Sequence, residues 1–265
     1  VPTLYYSTYG GNIMALKLVE NAPEGMKIAP YDMAISSGQH PFNLLFKDSS
    51  LYVLDAGKQY YYVNDEDGVL GDGKISVMSK DGKIVEMMIT NAGQAAFDDP
   101  FSGTIDGDFL SYANRNTGIV RVALKERNAV YDPTAFPYYV QHTTLGYYNN
   151  GWSYGSIGGC IGKVDGVWHW CKIYNGTGIF RFKDSDILPS VISQGDETNV
   201  PKDGIALGGM FPRAFAYDKT NDRFFFTIFD IGYGGLYCCT KEQLNAIGSS
   251  KAALAPYKVL TVDGK

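Results

Sequence analysis

One layout recurs four times along this chain: a short apolar strand, an Asp-led turn, then a strand of almost unbroken apolar residues. Phe42 to Phe46 precedes Asp48-Ser49-Ser50 and Leu51 to Leu54. Ser102 to Ile105 precedes Asp106-Gly107 and Phe109 to Tyr112. Cys160 to Lys163 precedes Asp165-Gly166 and Trp168 to Trp170, and Ala214 to Tyr217 precedes Asp218 and Phe224 to Phe226. The turn Asp falls at 48, 106, 165 and 218, so the steps are 58, 59 and 53 residues. A fifth copy starts at Leu4 to Thr8 without a first strand.

A glycine turn and a third strand follow each copy. Gly10-Gly11 leads into Ile13 to Leu16, Gly73 into Ile75 to Met78, and Gly118 into Ile119 to Val122. Gly178 leads into Ile179 to Phe182, and Gly235 into Leu236 to Cys239. A weaker fourth strand is readable at Ile84 to Ile89 and at Tyr257 to Val262. Four strands per fifty to sixty residues is the signature of a propeller blade. A β-sandwich or a long meander also uses short strands, but neither repeats its turn chemistry at a constant period. The sequence therefore predicts an all-β fold, a β-propeller of four-stranded antiparallel blades, as one domain over residues 1–265. About five blades are present. A six-bladed ring closed by residues beyond Lys265 is the simplest expectation; a five-bladed ring with one incomplete blade is the alternative. Helix is expected only after Thr240, where Gln243 completes a capping box and Gly248 ends the helix.

Composition agrees with strands and tight turns. The chain has 20 Tyr, 14 Phe and 31 Gly, and hydrophobic residues make up 45% of it. Aromatics fill pleated surfaces, and Gly supplies the positive φ of turns. The net charge is −5, and Lys and Arg are scattered rather than gathered in a basic stripe, which argues against nucleic acid as a partner. No apolar run reaches the length of a transmembrane helix. The chain opens on Val1 without an initiator Met or a signal peptide, as expected after removal of a leader or from within a longer protein.

Strand order sorts the loops onto two ends. Within a blade the chain runs down, up, down, up, so all the Asp-led turns share one end. Links between second and third strands share the other end with the blade-to-blade connections. That second end collects Asn114, Arg115, Tyr148, Trp152, Tyr154, Tyr174, Asn175, Arg213 and Tyr233. Aromatic rings beside amides and guanidinium groups suit a ligand with a flat apolar face and polar edges, such as a sugar. The competing reading is that these rings pack the loops against each other.

Asp65, Asp67 and Asp72 lie in an acidic, Gly-containing loop with oxygen ligands at alternate positions, as Ca²⁺ prefers. A solvated hairpin loop is the plainer reading, because no Glu stands at the twelfth position of an EF-hand. No other cofactor is expected. The three His, at 40, 142 and 169, are scattered, and His169 sits inside a strand, which points to a structural role. No nucleophile-elbow, P-loop or zinc-protease motif is present. The Asp165-Gly166 turn fixes a register in which Cys160 opposes Cys171 at a hydrogen-bonded pair. A disulfide and two buried thiols are both open there, while Cys238 and Cys239 alternate faces and should stay unpaired.

The stretches Trp168 to Ile187 and Gly234 to Gly248 resemble secreted six-bladed propeller lipoproteins of Bacteroidetes, related to NHL-type and YncE-type propellers. The resemblance is close over the second half of the chain and extends to the first half only as blade pattern. It implies a cell-surface or periplasmic location, a lipid-anchored N-terminus ahead of this chain, and a binding role beside outer-membrane importer proteins. It carries over no catalytic motif. The expected function is thus a ligand-binding propeller for glycan or another nutrient. A propeller hydrolase or lyase acting on polysaccharide, and a protein-interaction scaffold, are the alternatives.

Overall fold

The computed structural model describes residues 3–7, 12–18, 28–36, 41–55, 73–80, 82, 84–90, 100–114, 118–130, 138–141, 160–172, 178–183, 205–230 and 232–261. β1 (Thr3–Ser7), β2 (Asn12–Leu18) and β3 (Ile28–Ser36) form a three-stranded sheet. β4 (Pro41–Lys47), β5 (Ser50–Asp55), β6 (Lys74–Ser79) and β7 (Val85–Thr90) follow as a second blade. β8 (Pro100–Asp106), β9 (Phe109–Asn114) and β10 (Gly118–Ala123) begin a third. β11 (Ala129–Val130) then pairs in parallel with β7, adding a fifth strand to the second sheet, and β12 (Tyr138–Gln141) completes the third. The fourth blade holds β13 (Ile161–Val164), β14 (Val167–Lys172), β15 (Gly178–Lys183) and β16 (Ile205–Ala206). The fifth holds β17 (Pro212–Asp218), β18 (Arg223–Ile228), β19 (Gly235–Cys239) and β20 (Lys258–Thr261). Between β19 and β20 lie α1 (Lys241–Ile247) and a 3-10 helix over Lys251–Tyr257. The blades are antiparallel meanders with their strands in chain order, and the fold is an all-β propeller of such blades.

The chain divides into two compact units, residues 1–100 with 123–135, and residues 101–122 with 136–265. In the first unit, Ile13, Leu51, Val53 and Met78 form a buried cluster with Tyr5 and Leu44 against it. Tyr5 stacks on Phe46 at 6.1 Å and donates its hydroxyl to the Lys80 carbonyl at 3.0 Å. In the second unit, three consecutive blades pack on one another.

In the second and fourth blades the second strand is strongly apolar because it is covered on both faces. Leu51 to Asp55 of β5 are all buried, and Trp168 and Trp170 of β14 are each 1% exposed. A strand covered on both sides reads as a continuous apolar run rather than an alternation. First strands are less covered: β17 alternates between part-buried and exposed residues over Arg213 to Ala216.

The turn Asp has two uses. Asp48 and Asp165 take left-handed φ values of 56° and 48°, and Gly166 follows at 80°. Two-residue hairpins need such angles, and Asp tolerates them better than most side chains. Its carboxylate then fastens the next blade. Asp106 pairs with Lys163 at 2.8 Å, and Asp165 takes Lys241 and, at 3.3 Å, Lys219. The Lys241 hydrogen bond, followed by that of Lys219, holds the Asp165 carboxyl below its ordinary pKa. Asp218 instead organises its own longer turn, accepting from the Thr220 and Asn221 amides at 3.0 and 3.4 Å.

The expected register of the fourth blade is present. Ile161 opposes Trp170, and the Cys171 amide donates to the Cys160 carbonyl at 2.9 Å. All four Cys carry free thiols. The capping box is also complete: the Gln243 amide donates to the Thr240 hydroxyl, and the Thr240 amide to the Gln243 side-chain carbonyl.

Blades four and five meet at an aromatic contact. Phe215 stacks on Phe224 at 5.2 Å, and the His169 ring lies 5.9 Å from Phe215 and 5.5 Å from Phe224. His169 is 5% exposed and donates from Nδ1 to the Val167 carbonyl at 3.0 Å. Burial depresses its pKa from 6.5 to about 4 against the opposing effect of that bond. It is a core side chain, as its strand position implies.

Gly162 admits the Phe215 ring: a Cβ there would stand 2.8 Å from Phe215 Cζ. Gly162→Ala is expected to cost about 1–3 kcal/mol by overpacking, because Phe224 and His169 leave the ring no room to retreat. The readout is the urea midpoint at unchanged m-value. Gly162→Ala with Phe215→Leu should recover part of the loss, and a parent-like midpoint for Gly162→Ala would contradict the contact. His169 supplies a pH signature. The fold favours the neutral ring, so the unfolded chain binds the proton first as pH falls. Its contribution is complete above pH 6.5 and is lost as pH falls to about 4, roughly 3 kcal/mol in all. His169→Phe should flatten that part of the stability profile; equal slopes for parent and variant would mean a solvated ring.

Candidate functional site

The two ends of the fifth blade are built differently. One is the turn end, where β17 passes to β18. The other is the link end, where β18 passes to β19. Two of the sequence-selected residues, Arg213 and Tyr233, both lie at the link end of this blade. Asn114 closes β9 at the link end of the third blade. Arg115, Tyr148, Trp152, Tyr154, Tyr174 and Asn175 lie outside the described residues, as do Asp65, Asp67 and Asp72 of the acidic loop.

Arg213 occupies a β-bulge. Pro212 pairs with Ile228 and Ala214 with Thr227, so Arg213 is the extra residue between them. Pro212 begins the strand, where its missing N–H costs no ladder bond. A bulge re-aims its side chain and is common beside binding sites. The Arg213 backbone is held in place, since its carbonyl accepts from the Cys160 amide of the fourth blade at 3.2 Å. Its half-buried side chain lies over Phe229, with the guanidinium carbon 4.9 Å from the ring centroid. No acidic group pairs with Arg213 among the described residues.

The link from β18 to β19 supplies the aromatic surface. Phe229 is 68% exposed and Tyr233 38% exposed. The Phe229 amide donates to the Phe211 carbonyl at 2.9 Å, and the buried Tyr237 hydroxyl donates to the Tyr233 carbonyl. Gly232 takes a φ of 82°, which a side chain would resist. Lys251 reaches in from the 3-10 helix, pairs with Asp230, and lies 5.4 Å from the Tyr233 ring centroid. The link is thus pinned at both ends and presents two rings outward.

Sequence reading selected Arg213 and Tyr233 but missed Phe229, Asp230 and Lys251. Phe229 follows an apolar strand and reads as its continuation; only its place after the last ladder pair exposes it. Lys251 is brought in by a helix that no local pattern directs toward this link. Asp55 was missed as well: it is a fully buried carboxylate at the link end of the second blade, with Lys74 Nζ 3.9 Å away.

Among the described residues no group of His, Cys, Asp and Glu is placed to hold a metal ion, and no helix is long and apolar enough to cross a membrane.

No family model matches the chain, and no curated protein matches it. Solved structures do. A chain of a nidogen–laminin complex is 15% identical over 90% of this chain and 73% of its own length, with a TM-score of 0.48. A 6-phosphogluconolactonase-like protein of Bacteroides fragilis is 12% identical over 89% of this chain, with a TM-score of 0.48, and a protein of Lactobacillus plantarum is 18% identical over 91%, with a TM-score of 0.44. The chain spans 63% and 64% of the length of the last two, less than two thirds of either.

Proposed function

We propose that this propeller binds a glycan or another small nutrient molecule at the link end of its blades. In this reading it works at the cell surface or in the periplasm, lipid-anchored in the full-length protein and beside outer-membrane importer proteins, as the lipoprotein resemblance implies. One contrast carries the proposal. The turn end of the second unit engages its charges in blade-to-blade ion pairs, Asp106 with Lys163 and Asp165 with Lys219 and Lys241. The link end of the fifth blade presents Arg213, which has no acidic partner among the described residues, and the exposed rings of Phe229 and Tyr233. Exposed rings on a pinned link, beside a guanidinium, match what a saccharide needs: an apolar face to stack on and directional polar groups at its edge. Trp152, Tyr154, Tyr148, Tyr174, Asn175, Asn114 and Arg115 are assigned to the same end by strand order and would extend the surface.

Glycan-array screening followed by calorimetry on the best saccharide tests this. Tyr233→Ala and Trp152→Ala should each weaken binding about two- to ten-fold, the worth of one stacking contact, with melting temperature unchanged. Asp106→Asn, at the turn end, should leave affinity as it is. Parent-like affinity in both aromatic variants, or loss of binding in Asp106→Asn, would move the site away from the link end.

A further inference from the structure

We infer that the link-end site of the fifth blade is specific for a carboxylate-bearing saccharide, a uronate, with Arg213 as the group that recognises the carboxylate. The inference rests on the link end being the ligand site, and it adds the chemistry of the ligand.

The argument is one of unbalanced charge. Two cations stand over aromatic rings at this end, Arg213 over Phe229 and Lys251 over Tyr233. Lys251 is neutralised by Asp230. Arg213 has no acidic partner among the described residues, although the chain as a whole carries a net charge of −5 and Asp and Glu are plentiful. An Arg in so acidic a protein that meets no carboxylate among the described residues keeps its N–H donors for a ligand in this reading. Its five N–H donors form a rigid planar fork that matches a carboxylate through two parallel bonds.

Position supports the same reading. The bulge takes Arg213 out of the ladder, the Cys160 amide holds its carbonyl, and its guanidinium carbon lies 4.9 Å from the Phe229 ring centroid. A guanidinium already held by stacking loses little freedom on binding. A carboxylate meeting its N–H edge lies beside the Phe229 ring. The sugar ring that bears it can then place C–H groups on the exposed aromatic surface. One guanidinium with no acidic partner among the described residues balances one negative charge, which fits a single uronate better than a dianionic phosphate ester.

The test uses the parent protein and three uronate oligosaccharides, of galacturonate, mannuronate and glucuronate, each beside its carboxyl-reduced counterpart. Reduction removes the charge and keeps the ring stereochemistry. At least one acid form should bind ten-fold or more tightly than its reduced form, with the gap narrowing in high salt. Arg213→Gln should erase the gap, and Arg213→Lys, which keeps the charge but lacks the fork, should restore only part of it. If Arg213→Gln also lowers the melting temperature, the comparison of acid and reduced forms on the parent decides alone. Equal binding of the two forms, a gap that survives in Arg213→Gln, or binding of neutral saccharides only would each overturn the uronate assignment. Those results leave the link-end reading standing as long as Tyr233→Ala still weakens the neutral ligand. If no saccharide of any kind binds, both fall.

Discussion

A blade has two apolar faces and cannot stand alone. In the fourth blade the second strand is covered from both sides, so its stability is supplied in part by the blade that follows it. The contact between Phe215 and Gly162 is where this dependence is tightest. Removing one Cβ from β13 lets a phenyl ring of β17 lie flat between two blades, stacked on Phe224 and flanked by His169. Along with it come Val164, Cys171, Ile179, Phe226, Tyr237 and the buried side of α1, all in one cluster. Burying rings of this size contributes about 1.5–3 kcal/mol each, far more than any exposed ion pair. Packing therefore holds the blades together, and the Asp–Lys pairs at their turn ends set alignment.

That division of labour leaves one end of each blade free of structural duty. Two of the hairpin turns between first and second strands are short and give their carboxylates, Asp106 and Asp165, to the next blade. Links between second and third strands do not have to fit a two-residue turn. They can lengthen and carry exposed side chains, such as Phe229 and Tyr233 in the fifth blade, where Arg213 of the first strand lies over Phe229. A binding surface there, as proposed, would draw on scaffold rigidity without weakening the core.

The repeat was legible because turn chemistry and apolar runs are local properties. Asp-Gly at 165–166 fixed a hairpin register that the structure reproduces residue by residue, and the Thr240–Gln243 capping box forms as its spacing requires. Outer strands were harder to read. β16 is two residues long, β3 contains Pro30, and β11 pairs in parallel across a distant turn of sequence. An outer strand contacts its sheet on one side only, so its sequence is less constrained. The site was half legible for a related reason. Strand order placed Arg213 and Tyr233 at the link end, but the bulge at Arg213 comes from a mismatch between two strands, and the Lys251–Asp230 pair spans 21 residues. Neither is written in a local pattern.

The insertion between β19 and β20 changes the spacing of the blades. Blades that fan out from a common axis are close at their inner strands and separate toward their outer ones, so a wedge of space opens between neighbours. α1 fills that wedge between blades four and five. It lies against both β16 and β18, buries Leu244 and Ile247 among residues of the two blades, and places Asn245 against Arg181 of β15. A helix is about 10 Å across, much wider than a layer of side chains. At this edge blades four and five therefore meet through a helix, while Phe215 against Gly162 joins them strand to strand. Sequence drift in α1 would change how these two blades meet without touching a strand.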